Sequence, residues 1–293
     1  MIISASYRTD IPGFYGEWFL NRVRAGYCKV VNPYGGQVYR VDLRREAVEG
    51  FVFWTKNGGR FFEAMREVRR RGWPFVVQYG IDGYPRELER AVVGAERAVE
   101  DVKRIAGEFG GRAVVWRYDT IVYSTLTPRG FHLRNFERLA KELEGMVDEV
   151  VVSFAQIYRK TRRNMDRAGE ELGFSWEDPP TEEKRSLLRE LVVMAKARGM
   201  QLSVCSQREL LVEGAGDARC IDAKRLGDVG GVKIECKLKG NRAECGCYES
   251  RDIGAYDTCP MGCVYCYAVR DADAAKNRVR EHDPETECLG RKR

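Results

Sequence analysis

The 293-residue chain contains only two histidines, His132 and His282, which are far apart in the sequence. Histidine metal sites and Ser-His-Asp triads depend on histidines with fixed partners, so neither kind of site is indicated. No apolar run approaches the roughly 20 residues that span a bilayer, and we expect no membrane partner. No Gly-x-Gly-x-x-Gly sequence follows the first apolar run, which argues against a dinucleotide-binding fold.

The first residues also lack a basic segment followed by an apolar one, so we expect no signal peptide and a cytoplasmic protein. Fifty basic residues face 44 acidic ones, and the net charge of +6 is mostly self-cancelling. The densest basic stretch is residues 159–163. It could bind nucleic acid or phosphate, or it could simply be the solvated start of a helix.

Cysteine is abundant: the chain has ten, and nine of them lie after residue 200. In a small secreted protein, such crowding would predict disulfides. In a large chain from a reducing compartment, it instead favours metal ligation near the carboxyl terminus.

Short apolar runs rich in Val, Ile and aromatic residues alternate with amphipathic helical patterns. Because the runs are apolar almost throughout, they are typical of strands that are buried on both faces of a parallel sheet. We predict strands at residues 2–6, 51–55, 75–79, 113–117, 149–154 and 201–205, helices at 15–25, 60–71, 86–109, 133–143 and 181–198, and a hairpin near 27–43. The pattern predicts an α/β fold, a closed or partial (β/α) barrel of the TIM type.

Three regions are expected along the chain. Residues 1–205 would form the barrel. Residues 206–270, irregular and rich in cysteine, would be a metal-binding segment packed on the barrel mouth. Residues 271–293 would be a charged tail, helical near its start and mobile from residue 281.

Polar residues follow most of the predicted strands. In a barrel the active site lies at the carboxyl ends of the strands, so we expect these side chains to line a pocket for a polar substrate. The expected catalytic residues are Arg8, Asp10, Lys56, Asn57, Arg117 and Asp119, and the expected cofactor contacts are Gln78 and Ser153. The alternative is that these loops are polar only because they reach solvent.

Cys259, Cys263 and Cys266 have the spacing C-x3-C-x2-C. Three thiolates in one short loop can hold three irons of a [4Fe–4S] cluster and leave the fourth iron open to S-adenosylmethionine. Gly262 would allow the tight turn that this spacing needs. The alternative is a zinc knuckle completed by another cysteine pair.

A second set of four cysteines, Cys205, Cys220, Cys245 and Cys247, has the number of thiolates that an auxiliary iron–sulfur cluster or a structural zinc requires. Cys236 is a competing fourth ligand. Cys28 and Cys288 are expected to be ordinary thiols.

The sequence resembles a widespread family of unknown function whose members carry an N-terminal S-x-R-T-D-I-P segment and a C-terminal cysteine cluster similar to that of radical SAM proteins. The matching segments are Ser6-Tyr7-Arg8-Thr9-Asp10-Ile11-Pro12, Phe53-Trp54-Thr55-Lys56-Asn57, Trp116-Arg117-Tyr118-Asp119 and Cys263-Val264-Tyr265-Cys266-Tyr267. The resemblance implies that Tyr265 packs near the adenine of S-adenosylmethionine.

These observations predict a radical SAM-like iron–sulfur enzyme that reductively cleaves S-adenosylmethionine and acts on an unidentified polar substrate, either a small molecule or a nucleotide-like one. Such an enzyme would need an electron donor, such as ferredoxin or flavodoxin. The alternative is a zinc-stabilised protein that binds nucleic acid, or an electron carrier that does not cleave the cofactor.

Overall fold

A computed structural model describes residues 1–240, 242 and 244–291 of the chain. Strands and helices alternate along most of its length. The strands are β1 (Ile2–Ala5), β2 (Tyr27–Val31), β3 (Val38–Asp42), β4 (Gly50–Thr55), β5 (Phe75–Gly80), β6 (Val114–Ile121), β7 (Tyr123–Ser124), β8 (Glu149–Phe154), β9 (Trp176–Glu177), β10 (Gln201–Val204), β11 (Gly216–Asp217) and β12 (Ser250–Asp252). The helices are α1 (Ile11–Phe14), α2 (Gly16–Ala25), α3 (Phe62–Arg70), α4 (Ala95–Phe109), α5 (Arg129–Leu143), α6 (Arg159–Leu172), α7 (Thr181–Ala197), α8 (Ala223–Gly230) and α9 (Ala272–Glu281).

Eight strands form one sheet in the order β11-β10-β8-β6-β5-β4-β1-β12, and each strand is parallel to its neighbours. Within the described residues, the outer strands β11 and β12 do not pair with each other. The α/β prediction with a parallel sheet is therefore confirmed, whereas the closed form of the barrel is not formed. The predicted hairpin is also present, as the antiparallel pair β2–β3.

One face of the sheet is packed against helices. Alternate strand residues, such as Phe53, Trp116 and Tyr118, are fully buried there. The Trp116 ring stacks on Phe136 of α5, with ring centroids 4.9 Å apart. Burial of aromatic and branched side chains on this face provides the main hydrophobic stabilisation of the fold.

The opposite face is covered by the cysteine-rich segment. Val52, Val76 and Val115 point to this side and pack against Ile221 and Leu226. The part of the segment around Ile221 and Leu226 thus lies across a face of the sheet, whereas the whole segment was expected at the barrel mouth. It also contributes α8 and the edge strand β12, although an irregular segment was predicted.

The helix predicted over residues 86–109 is wrong in its first part, because α4 begins only at Ala95. The residues before it form a loop that is hydrogen-bonded to the carboxyl-terminal segment: Ala91 N donates to Met261 O at 2.9 Å, and Val264 N donates to Leu88 O at 3.0 Å. Gly94 separates this loop from the helix. Helix α6 extends well beyond the basic stretch in which only a helix start was considered.

The charged tail is docked rather than mobile over part of its length. In the tail after α9, Thr286 O accepts a hydrogen bond from the Trp18 indole at 2.9 Å, and Glu287 O accepts one from Lys29 N at 2.8 Å. The expectation of mobility from residue 281 is wrong for these residues. None of the described helices combines the length and the apolarity needed to traverse a bilayer.

Candidate metal and substrate site

The loop that carries Cys259, Cys263 and Cys266, here called the three-thiol loop, follows β12 at the carboxyl end of the sheet. Gly262 has φ +68°, as the predicted tight turn requires. A Cβ on this glycine would lie 3.2 Å from the Cβ of Arg90, so the chain also passes closely at this point. The sequence therefore predicted the shape of this loop correctly.

One backbone N–H group is hydrogen-bonded to a sulfur of this loop: Ala268 N donates to Cys266 Sγ at 3.3 Å. Burial raises the pKa of Cys259 to about 12. The pKa of Cys263 is raised well above its usual range, mainly by burial and secondly by the negative charge of Glu89. N–H···S bonds of this kind are typical of thiolates that hold a metal.

A buried ionic cluster adjoins the Cys263 thiol. Lys56 Nζ lies 2.7 Å from Glu89 Oε1 and also contacts Asp82, while the Tyr265 hydroxyl donates to Glu89. Burial alone would lower the pKa of Lys56, but the two carboxylates raise it well above its ordinary value. Two carboxylates thus face one ammonium group, and Asp82 Oδ1 is buried without a hydrogen-bond partner among the described residues.

Asp10 follows β1 and Asn57 follows β4, and the two side chains differ in their hydrogen bonds. Asp10 Oδ1 accepts from Gly13 N at 2.7 Å, and Asp10 Oδ2 accepts from the Thr55 hydroxyl at 3.0 Å and from Lys56 N at 2.8 Å. These contacts are those of a side chain that positions the loop. The Asn57 backbone N–H donates to the Thr55 hydroxyl at 2.8 Å, whereas its side-chain amide has no hydrogen-bond partner in the part of the chain that the structure describes.

Arg8 lies in the segment that follows the carboxyl end of β1. Its Nε atom is 3.7 Å from Asp252 Oδ1, and Asp252 is itself held by the Ser4 and Ser6 hydroxyls, at 2.8 Å each. The guanidinium lies over the ring of Tyr256, 5.3 Å from its centroid. Arg8 is therefore half-buried at the open end of the sheet.

The four remaining predicted ligands, Cys205, Cys220, Cys245 and Cys247, come together on the face of the sheet that the cysteine-rich segment covers, and we call them the four-thiol group. The Cys205 and Cys220 sulfurs are 3.4 Å apart. Cys220 in turn contacts Cys247, and Cys247 contacts Cys245. Although 42 positions separate the first from the last, the fold unites all four.

A buried guanidinium joins this group to the sheet. Arg117 Nη1 donates to Cys220 Sγ at 2.9 Å and to Gln78 Oε1 at 3.0 Å, while Nη2 pairs with Asp119 Oδ2 at 2.5 Å. The Ser153 hydroxyl donates to Asp119. Gln78 and Ser153, which were expected to contact the cofactor of the three-thiol loop, are thus bonded to residues at the four-thiol group.

Cys236 lies in the same segment, but its thiol donates to Glu249 O at 3.3 Å. All ten cysteines are free of disulfides. Among residues 1–240, 242 and 244–291, no three or more His, Cys, Asp or Glu side chains are arranged so that they could hold a metal ion together. In the four-thiol group, each sulfur contacts the next one in the order Cys205, Cys220, Cys247, Cys245. Metal binding at either thiol group therefore stays a prediction, which is based on the chemistry of the donor atoms.

Sequence reasoning missed Asp82, Glu89 and Asp252. Asp82 follows β5 by two residues and could have been found by extending the strand-end argument. Glu89 was hidden inside the predicted helix 86–109. Asp252 lies on β12, an edge strand too short and polar to have been predicted.

The fold and the two thiol groups define a parallel α/β protein with a cysteine-rich cover on one face of its sheet. The chain belongs to the family described as a domain of unknown function, DUF1848, whose model matches residues 2–268. This finding agrees with the family resemblance in its coarser part, an extensive match to a family of unknown function. No match was found among curated proteins.

Proposed function

We propose that this protein is a radical SAM-like iron–sulfur enzyme, in which Cys259, Cys263 and Cys266 hold a [4Fe–4S] cluster that binds S-adenosylmethionine. The observation that carries the proposal is the three-thiol loop itself. Its three cysteines lie within eight residues, and a backbone N–H group donates to the sulfur of one of them, Cys266. An odd number of thiolates suits a cluster with one open iron better than a structural zinc, which prefers four closed ligands.

When bound, such a cluster supplies an electron that breaks a C–S bond of S-adenosylmethionine and starts radical chemistry. The protein's own part is to bind and orient the cofactor and the substrate, and to exclude water. The ionic cluster beside Cys263 has two carboxylates, Asp82 and Glu89, for one ammonium group, that of Lys56. The ammonium group of a bound amino acid would balance the excess negative charge, and the buried, unpartnered Asp82 Oδ1 would accept a hydrogen bond from it.

Tyr265 would form one wall of the cofactor site. Its hydroxyl is tied to Glu89, and its ring lies 5.8 Å from Lys56 Nζ. The ring is therefore held in one orientation beside Cys263. This arrangement supports the expectation that it packs against the adenine.

The four-thiol group would hold a second metal, and one distance bears on which metal it is. Two thiolates bound at 2.3 Å to a single tetrahedral zinc lie about 3.8 Å apart. In a [4Fe–4S] cluster each cysteine binds a different iron, so the sulfurs lie farther apart. The separation of 3.4 Å between the Cys205 and Cys220 sulfurs therefore favours zinc over the auxiliary cluster at this group.

A second function follows if the three-thiol loop also binds zinc. The protein would then be a metal-stabilised binding protein, in which basic residues such as Lys160 contact nucleic acid. An electron carrier is a further alternative, with iron and sulfide but no cofactor cleavage. The free thiols suit a reducing compartment, so we also propose a cytoplasmic location and an electron donor such as ferredoxin or flavodoxin.

Metal analysis of anaerobically purified protein tests the proposal. We expect brown protein with iron and acid-labile sulfide in equal amounts, together with one zinc per chain. Four irons would be lost in the variant Cys263→Ala, and the zinc would be lost in Cys220→Ala. Colourless protein with two zinc ions and no iron would overturn the proposal and support the binding protein.

A further inference from the structure

A continuous band of aromatic rings and cations lies between the two thiol groups at the open end of the sheet. We call it the mouth band, and it consists of Tyr7, Arg8, Lys160, Arg242, Tyr256 and Tyr267. Its members come from the segment after β1, from the first turn of α6, from the cysteine-rich cover and from the three-thiol loop with the residues before it. Distant parts of the chain therefore contribute to one surface.

Half of the mouth band adjoins the three-thiol loop. The Arg8 guanidinium lies 5.5 Å from the ring centroid of Tyr7 and 5.3 Å from that of Tyr256. Lys160 Nζ lies 5.9 Å from the same Tyr256 ring, and its positive charge acts on the Cys266 thiol, whose pKa it lowers against the larger raising effect of burial. One ring is thus flanked by two cations.

The other half reaches the four-thiol group. The Tyr267 hydroxyl donates to Tyr7 O at 2.8 Å, which joins the two halves. The Arg242 guanidinium lies 5.2 Å from the Tyr267 ring, and it is close enough to Cys205 to interact with a charge there. A ligand lying along this band would reach from one thiol group to the other.

Only one of the three cations of this band has an acidic partner among the described residues. Arg8 pairs with Asp252, whereas none of the salt bridges involves Lys160 or Arg242. Arg159, Lys160, Arg162 and Arg163 begin α6. The first turn of this helix contains no acidic residue. Cations at a helix start are unfavourable because they lie beside the positive end of the helix dipole. These basic residues therefore do not stabilise the helix locally, which is typical of residues that serve a function.

The members of the mouth band are also accessible. Arg242 is exposed, and the other five side chains are partly exposed. A partly exposed ring can stack on a planar base, and arginine and lysine beside it can bind phosphate. An apolar ligand would not need the cations, and a small anion would not need the rings.

We propose that the mouth band binds a nucleotide, with its base on the ring of Tyr256 or Tyr267 and its phosphate at Arg8, Lys160 or Arg242. This inference rests on the proposed function in one respect, since the bound nucleotide would be the substrate of the radical chemistry. Its binding can nevertheless be measured without that chemistry. The same ligand chemistry is offered by a free nucleotide and by a nucleic-acid strand.

The test uses the full-length, anaerobically purified protein without reductant, saturated with S-adenosylmethionine so that the adenosyl site is filled. Calorimetry with nucleoside 5′-monophosphates and the matching nucleosides, and fluorescence anisotropy with a labelled single-stranded oligonucleotide, report binding. We expect nucleosides to bind at least about tenfold more weakly than nucleotides, because they lack the phosphate. Preference for the monophosphate or for the strand would identify the source of the ligand. Absence of binding by both, or equal binding of nucleosides and nucleotides, would overturn the inference.

Matched variants locate the binding. Tyr256→Ala is expected to weaken binding about tenfold through lost stacking, whereas Tyr256→Phe keeps the ring and retains it. Lys160→Ala should weaken binding and reduce the salt dependence by about one phosphate contact. Lys196→Ala removes an exposed charge on α7 and should have no effect; an equal loss there would show non-specific attraction and overturn the inference. Iron content and cofactor cleavage, measured on the same samples, report the proposed function separately.

Discussion

The two thiol groups of this protein are built in opposite ways. The three-thiol loop takes all its cysteines from eight consecutive positions, whereas the four-thiol group takes its cysteines from three separate segments of the chain. A short loop can hold a metal centre and still leave one position open to a ligand. Four thiols that join a strand end to two parts of its cover leave no position open, and they tie those segments together. In our proposal, the first group carries the chemistry and the second supports the structure.

The charged side chains beside the two thiol groups also differ, in how fully they are paired. At the three-thiol loop, Asp82 and Glu89 outnumber Lys56, and one carboxylate oxygen lacks a partner. At the four-thiol group, Arg117 has acceptors on both sides, including Asp119. In our proposal, the first site therefore binds an ammonium group, while the side chains of the second site are already paired with one another.

The largest expected effect belongs to Cys263→Ala. This change removes one of three cluster ligands, so we expect loss of the cluster and of all S-adenosylmethionine cleavage, with the metal of the four-thiol group retained. Iron, zinc and cleavage products would be measured on one sample. As a control, Cys288→Ala, which is buried beside Lys29, should keep both metals and full cleavage. Cleavage by the Cys263→Ala variant would contradict the assignment.

The next effect is on stability and distinguishes the second group from the first. Cys220→Ala should abolish the metal of the four-thiol group and lower the free energy of unfolding by on the order of 3 kcal/mol, because metal binding there is coupled to folding. Thermal unfolding of the holoprotein, with iron analysis alongside, provides the measurement. If this variant loses iron but keeps zinc, the two groups have been assigned the wrong metals.

Arg117→Lys should have an intermediate effect. Lysine keeps the positive charge near Asp119 but cannot reach Gln78, Asp119 and Cys220 together as the planar guanidinium does. We expect the affinity of the four-thiol group for its metal to fall about 10- to 100-fold, as for other residues that support metal ligands. Competition with a chelator gives this affinity. Arg112→Lys, a change at an exposed ion pair with Asp148, is the matched control and should alter it little.

Cys236→Ala should have the smallest effect. Its thiol donates to Glu249 O rather than to another cysteine, so both metals should remain and stability should change by less than about 1 kcal/mol. Metal content and thermal unfolding would again be compared with the wild type. Loss of the second metal would make Cys236 a ligand and remove one of the four thiols from the group.

The parallel sheet could be predicted because its strands are buried on both faces and are therefore almost continuously apolar. Residues at strand ends, such as Lys56 and Arg117, could be placed near one edge for the same reason. The sequence could not show that a distant segment covers one face, because that packing depends on contacts between residues more than 100 positions apart, such as Gln78 and Cys220. It therefore did not separate Gln78 and Ser153 from the three-thiol loop.

Local sequence patterns were also insufficient for two segments beside the three-thiol loop. The amphipathic pattern of α4 continues through Glu89, but pairing with the three-thiol loop holds that residue in a non-helical segment. From the sequence, the basic start of α6 was compatible both with a surface for nucleic acid or phosphate and with an ordinary solvated helix start. Only its position beside Tyr256 gives it a role in our account.

Cleavage of S-adenosylmethionine tests the central claim most directly. Anaerobically purified protein would be reduced with dithionite and supplied with the cofactor, and the products would be separated by chromatography. The account predicts methionine and 5′-deoxyadenosine from the wild-type protein and neither product from the Cys263→Ala variant. Iron-loaded wild-type protein that forms no 5′-deoxyadenosine under these conditions would contradict it.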